Sequence, residues 1–332
     1  MHAVALLSRV GWEEELAQEG QAVTRFLGLD WGDAQMRVKR LVDEGLIAKQ
    51  GRYRYVTPHL LAVWLASEVW EARGTDVLYL LPNLPSWNSL QALLQRLRDL
   101  GDEPQARQVC EMLLGPSGIF KDLGSLNDES RSKIFAILAE AHPQTGLRAL
   151  ERILGHLPRD ELLRLREGRR YIVWALEKLA WLPETFFGAA RLLLALAEAE
   201  NETWANNATG IWIGLFGTHL GGTAVPAIER HALIAEALES GSVDRQLLAI
   251  KAIERVLSLR EMRASGGEQQ SGRLVPPEWR PRDVEEDRAV RKSALTLLDR
   301  ALASLELKVR QAAEETLLHV ARDLVWMGLT DE

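Results

Sequence analysis

The sequence predicts a mostly α-helical protein with a small N-terminal module of helices and one β-hairpin. Two observations carry this. Apolar residues recur at spacings of three and four along nearly the whole chain, which is the signature of helices burying one face. Period-two alternation is confined to residues 46–56, so one hairpin is the only strand structure expected. The chain has 332 residues and is 47% apolar, enough for a sizeable core and outside the range of disordered chains. Its net charge of −7 argues against a generally basic coat for nucleic acid while leaving room for a local basic patch. One Cys allows neither an internal disulfide nor a multi-cysteine zinc site, and points to a reduced, cytoplasmic setting. No apolar run reaches about 18 residues, so no membrane-spanning helix is expected. The first residues show no secretory leader pattern.

Two domains are expected, 1–72 and 73–332. In the first, Ala3–Arg9 reads as a short helix. Glu13–Leu27 reads as a second, its three leading glutamates placed at the positive end of the helix dipole. Asp30 caps a third helix, Trp31–Glu44, with Gly45 ending it. Leu46–Lys49 and Tyr53–Val56 then flank a Gln50-Gly51 turn. Three helices followed by a hairpin is the order of a winged helix-turn-helix. A further helix, 58–70, follows it.

In the second domain the stripes run one after another. Leu90, Leu93, Leu94, Leu97 and Leu100 make one, opened by Ser86 and closed by Gly101. Leu147, Leu150, Leu154 and Leu157 lie between Pro143 and Pro158. Val243, Leu247, Ile250 and Leu257 form a third. Val290, Ala294, Leu297, Leu298, Ala301 and Leu305 form a fourth, and Val309, Ala313, Leu317, Val320 and Leu324 the last. Pro104, Pro143, Pro183 and Pro226 stand near expected helix starts, where a missing N–H costs least. Short turns between such helices suggest an α–α superhelix of degenerate HEAT/TPR-like hairpins. A long loop at 261–284 interrupts it. Its core, ASGGEQQSGRLVPPEWRPRD at 264–283, carries Val275 and Trp279 as residues suited to dock on helices.

Chemistry-bearing motifs are scarce. No zinc signature, nucleophile elbow or phosphate-binding G-x-x-x-x-G-K-[ST] loop occurs; the nearest string, GPSGIFKD at 115–122, has the wrong spacing. The seven His are scattered, and Cys110 sits in an apolar helical stripe as a buried structural residue. No enzyme, cofactor or metal is therefore expected. Residues 37–54 hold six basic side chains (Arg37, Lys39, Arg40, Lys49, Arg52, Arg54) against Asp43 and Glu44, a local charge of +4 suited to DNA. Residues 1–60 as a whole hold eight basic and eight acidic side chains, a balance that suits a packing or protein-binding role equally well. The stretch Asn201–Gly222 mixes Trp204, Asn206, Asn207 and Trp212, a polar-aromatic set able to anchor a protein partner or to fill a helix junction. Trp64, Trp70, Trp174 and Trp181 read as core.

The strings ALLSRVGW and LVDEGLIAKQGRYRYVTPHLLAVWLA resemble the winged helix that follows the nucleotide-binding domain of bacterial STAND ATPases, relatives of NACHT proteins. The string ALEKLAWLPETFFGAARLLLALAEAENETWANNATGIWIGLF is similar to their helical sensor region. The resemblance is most specific over residues 5–65 and 170–220. It implies a regulatory back half: a non-enzymatic sensor module, possessing no ATPase of its own, that works through protein contacts of the helical array with a nucleotide-binding domain supplied elsewhere. Many such proteins act in defence signalling, including against phage. The resemblance also implies that His59 stands where a Met-His-Asp motif places a histidine on a nucleotide phosphate. Here Pro58 and Leu60 replace the Met and Asp, and the simpler reading of His59 is an idle, half-exposed residue at the start of helix 58–70. The alternative function is a winged-helix DNA-binding transcriptional regulator with a helical sensing or oligomerisation domain.

Overall fold

Asp30, Ser86, Asn207, Ser242 and Asp283 each accept a backbone N–H three residues ahead, so the helices begin where the sequence supplies a capping side chain. The computed structural model describes residues 1–101, 103–259 and 266–329. It is mostly helical, with 65% helix and 3% strand.

In the N-terminal part, α1 (His2–Ala5) leads into β1 (Val10–Gly11), then α2 (Ala17–Phe26) and α3 (Trp31–Asp43). The hairpin of β2 (Ile47–Gln50) and β3 (Tyr53–Val56) follows, and then α4 (His59–Arg73). Gly45, at φ +76°, ends α3, and Gly51, at φ +57°, makes the hairpin turn; both need the left-handed region that glycine enters freely. Two expected helices are shorter than the sequence suggests. The first stops at Ala5 because the chain straightens to pair Val10 with Arg54 and Gly11 with Tyr53. The second starts at Ala17, because Glu14–Leu16 form a separate 3-10 turn whose Glu14 has φ +53°. The sheet thus has three antiparallel strands in the order β1-β3-β2, with Lys49 opposite Arg54 and Ile47 opposite Val56.

Further helices are α5 (Trp87–Asp99), α6 (Pro104–Leu114), α7 (Leu123–Leu126), α8 (Glu129–Ala141), α9 (Pro143–Leu154) and α10 (Arg159–Leu162). After them come α11 (Arg169–Trp181), α12 (Phe186–Glu198), α13 (Ala208–Gly214), α14 (Ala227–Leu238), α15 (Val243–Leu257), α16 (Val284–Leu302) and α17 (Leu307–Trp326). Pro104 and Pro143 are first residues of helices and Pro226 caps α14, while Pro183 stands in the turn before α12.

The chain divides into two compact units. One comprises residues 1–121, 128–146 and 271–273; the other comprises 122–127, 147–270 and 274–332, within the described residues. The first continues past residue 72 because α4 packs on α1, β3, α5 and α6. Its core includes Val4, Leu6, Leu7, Val23, Val56, Trp70 and Leu93. In the second, neighbours in sequence pack together: α11 on α12, α12 on α13, α14 on α15, α15 on α16 and α16 on α17. Contacts also skip one helix, α13 to α15, α14 to α16 and α15 to α17.

Some expected core residues are not core. Leu305 is fully exposed because α16 ends at Leu302, before it. Leu317 of α17 and Trp64 of α4 face solvent because the buried stripes run through Val309, Ala313, Val320 and Leu324, and through Ala62, Leu65, Ala66, Val69 and Trp70. Trp70 and Trp181 are buried, as their spacing predicts, and Trp174 is half-buried. Residues 261–265 of the expected long loop lie outside the described residues. The remainder, 266–283, contains neither helix nor strand. Its contacts within the second unit confirm docking: Trp181 Nε1 donates to Pro276 O at 2.9 Å, and Trp279 N donates to Thr223 O at 3.0 Å. The Arg230 guanidinium lies 5.4 Å from the centre of the Trp279 ring.

Candidate functional site

The basic residues of 37–54 divide into two groups according to what the preceding segment does. β1 pairs with β3, and Trp12 N then donates to Arg52 O at 2.9 Å. The Trp12 ring packs on Trp31 at 4.7 Å between centres, an approach that leaves no room for a Cβ at Gly20. Glu19 is buried and accepts the Gly11 N–H at 2.7 Å; burial raises its carboxyl pKa against the opposing pull of that bond. Residues 10–16 are therefore fixed as a strap along the hairpin.

The strap delivers three successive carboxylates to the hairpin cations. Glu13 pairs with Lys49 at 2.8 Å and with Arg54. Arg52 pairs with Glu14 at 2.7 Å and with Glu15. Hydrogen bonds from Lys49 and Arg54 hold the Glu13 carboxyl below the usual carboxylate value. Arg54 itself is buried, and its guanidinium also donates to the Tyr53 carbonyl at 2.9 Å. Buried in this way, Arg54 has no path to a DNA backbone. The local charge of +4 becomes +1 once Glu13, Glu14 and Glu15 are counted with residues 37–54.

The third helix is different. Only Ala34 and Val38 of α3 are buried. Arg37 and Lys39 are exposed and have no ion pair among the described residues, whereas Arg40 pairs with Glu44 at 2.8 Å. Gln35, Met36 and Asp43 share the exposed part of the helix, with Met36 67% exposed. This surface mixes charge of both signs with an adaptable apolar side chain.

His59 is the first residue of α4. Its ring is exposed, with Nε2 3.7 Å from Asp99 Oδ2. Asp99 also faces Arg96 at 3.2 Å and Arg98 at 3.6 Å. Leu60 and Trp64 follow on α4, 79% and 56% exposed.

The 201–222 stretch is arranged as a helix junction. Trp212 is fully buried against Phe216, with ring centres 4.8 Å apart, so it offers no surface to a partner. Asn207 caps α13 through Gly210 N at 2.8 Å and donates to Glu202 O at 2.9 Å. Trp204 is half-buried under the Arg170 guanidinium, 4.6 Å from its centre, and Asn206 is half-buried. Glu200 ties the junction together: it accepts from Thr209 N at 2.9 Å and pairs with the buried Arg169 at 3.4 Å. That network joins positions far apart in the chain, which no local pattern reveals.

Cys110 is buried, and burial pushes its thiol pKa up, the opposite of what a nucleophile needs. Among the described residues no group of three or more His, Cys, Asp or Glu could hold a metal ion. No helix among them is long and apolar enough to cross a membrane. No protein-family model matches the chain, and neither a curated protein nor a solved structure matches it.

Proposed function

We propose that the chain is a non-enzymatic regulatory module of the STAND type that works through protein contacts in the cytoplasm. In this reading residues 1–72 form a winged helix-turn-helix, and the helices beyond it form a degenerate HEAT/TPR-like sensor array. The partner is a nucleotide-binding ATPase domain, carried elsewhere on a longer chain or on a separate one. His59 would meet nucleotide only in that assembly.

The observation that supports a protein partner over DNA is the clasp of Glu13, Glu14 and Glu15 on Lys49, Arg52 and Arg54. A hairpin that grips phosphates needs uncompensated cations, and affinity for duplex scales with their number. The clasped hairpin supplies few, while α3 and α4 present Met36, Leu60 and Trp64 to solvent. Such a mixture suits a protein surface.

The test is direct. Purified full chain should hydrolyse no ATP above the buffer rate with magnesium present, and should shift no duplex at low salt. Robust magnesium-dependent hydrolysis overturns the proposal. The second reading, a DNA-binding regulator, is favoured by one feature: the open outer face of α3, where Arg37 and Lys39 have no ion pair among the described residues. A salt-dependent gel shift abolished by Arg37→Ala with Lys39→Ala establishes it.

A further inference from the structure

We propose that the first compact unit carries a binding site for a single-chain aliphatic carboxylate, a role separate from the protein contacts above. A cavity of about 770 Å³ opens there between the 3-10 turns of residues 74–83, α5, the end of α6 and the loop 115–121. That volume lies within the range of roughly 300–1,000 Å³ typical of small-molecule sites. Its floor is Leu94 and Leu113, both buried. Its rim is Trp87, Met112 and Ile119, each between 43% and 50% exposed. Large apolar side chains left half in water around a hollow mark a surface that gains by being covered. The loop is held in place by its backbone, with Gly118 N on Gly115 O at 2.9 Å and Ile119 N on Leu113 O at 3.1 Å.

Charge selects the occupant. Among the described residues, the only charged side chains lining the cavity are Lys121 and Arg131, and no carboxylate lines it. Both cations are exposed and neither has an ion pair among the described residues. The Arg131 guanidinium lies 6.0 Å from the centre of the Trp87 ring, at the cavity wall. The neighbouring carboxylates are engaged elsewhere: Glu129 pairs with Lys133 at 2.7 Å, Asp128 accepts the Arg131 backbone N–H at the start of α8, and Asp122, beside Lys121, accepts the Ser125 backbone N–H at the start of α7. An apolar hollow with two uncompensated cations fits a long alkyl chain ending in an anion. A neutral alcohol gains only the burial, and a cationic amphiphile meets like charge.

The experiment uses the full chain and calorimetric titration with dodecanoate below its micellar concentration, beside dodecanol and dodecyltrimethylammonium. Dodecanoate should bind one to one, at least about tenfold more tightly than dodecanol, and the ammonium should not bind measurably. Lys121→Gln with Arg131→Gln should remove that tenfold preference and leave dodecanol unchanged. Ile119→Trp, which fills the opening from an exposed rim position, should abolish binding while circular dichroism shows an unchanged melting curve; Met112→Trp serves as the second plug. Equal affinity for the three head groups, absence of dodecanoate binding, or binding undiminished by both plugs overturns the proposal. So does a concentration-dependent dimer that either plug dissolves, since the face would then belong to a second copy of the chain.

Discussion

Replacing Glu13, Glu14 and Glu15 together by Gln should create salt-dependent DNA binding in a chain that otherwise has little. The glutamines keep the size of the side chains and remove three negative charges. Lys49 loses its partner at 2.8 Å, and Arg52 loses both of its carboxylates. Arg54 is not counted among the released cations, because it is buried and keeps its bond to the Tyr53 carbonyl. Two new phosphate contacts steepen the dependence of log K on log salt by about 1.8. Between about 50 and 200 mM salt these two contacts should therefore cost the variant ~12-fold in affinity, while the parent chain should show no binding to compare. Fluorescence anisotropy with a labelled random duplex, at four or five salt concentrations, reads the slope. Circular dichroism checks that the variant folds. A variant that binds duplex no better than the parent refutes the idea that the strap masks the hairpin. So does a parent chain that already binds duplex with a steep slope.

His231 is expected to make stability depend on pH. It is buried, with Nδ1 2.9 Å from Ser293 Oγ, and burial together with neighbouring Arg230 lowers its pKa from 6.5 to about 4. The unfolded chain thus binds a proton below pH 6.5 that the folded chain refuses until about pH 4. Stability from this group is complete above 6.5 and falls by up to about 3 kcal/mol as pH drops through that window. Urea denaturation of the parent and of His231→Gln should show a shallower acid slope in the variant, and identical slopes count against it. Arg169 is fully buried and donates to the Leu196 carbonyl at 2.6 Å and the Ala199 carbonyl at 2.9 Å. Arg169→Met should cost about 3–5 kcal/mol in the same assay, since it leaves buried acceptors unpaired; a loss below about 1 kcal/mol contradicts that accounting. Cys110 should react with an aromatic disulfide reagent only as fast as the chain opens, and at once in denaturant. Rapid labelling of the native protein disproves its burial.

Local signals were legible where one residue type meets one backbone need. Asp30 and Ser86 cap the helices they precede in sequence. Gly45 and Gly51 occupy left-handed positions. The hairpin was readable because alternation and a glycine turn lie within ten residues of one another. Val290, Ala294, Leu297, Leu298 and Ala301 are buried as their spacing requires. Leu305 and Leu317 show the limit of spacing: it proposes a face but not where the helix stops or how wide the buried stripe is.

The sequence by itself determined that this chain is mostly helical, with caps, turns and a single hairpin at stated places, because those features depend on neighbours within a few positions. It also excluded a phosphate loop and common zinc signatures, since those motifs are contiguous. Tertiary structure alone decided what the charged and aromatic residues do. Glu13–Glu15 look like the start of a helix until β1 pairs with β3, some forty positions away, and lays them on Lys49, Arg52 and Arg54. Trp212 looks like a surface anchor until Phe216 and the α13 junction bury it. The cavity beside Trp87 draws on residues from 78 to 131. Burial and ion pairing are properties of distances between residues remote in sequence, and periodicity along the chain carries no information about them.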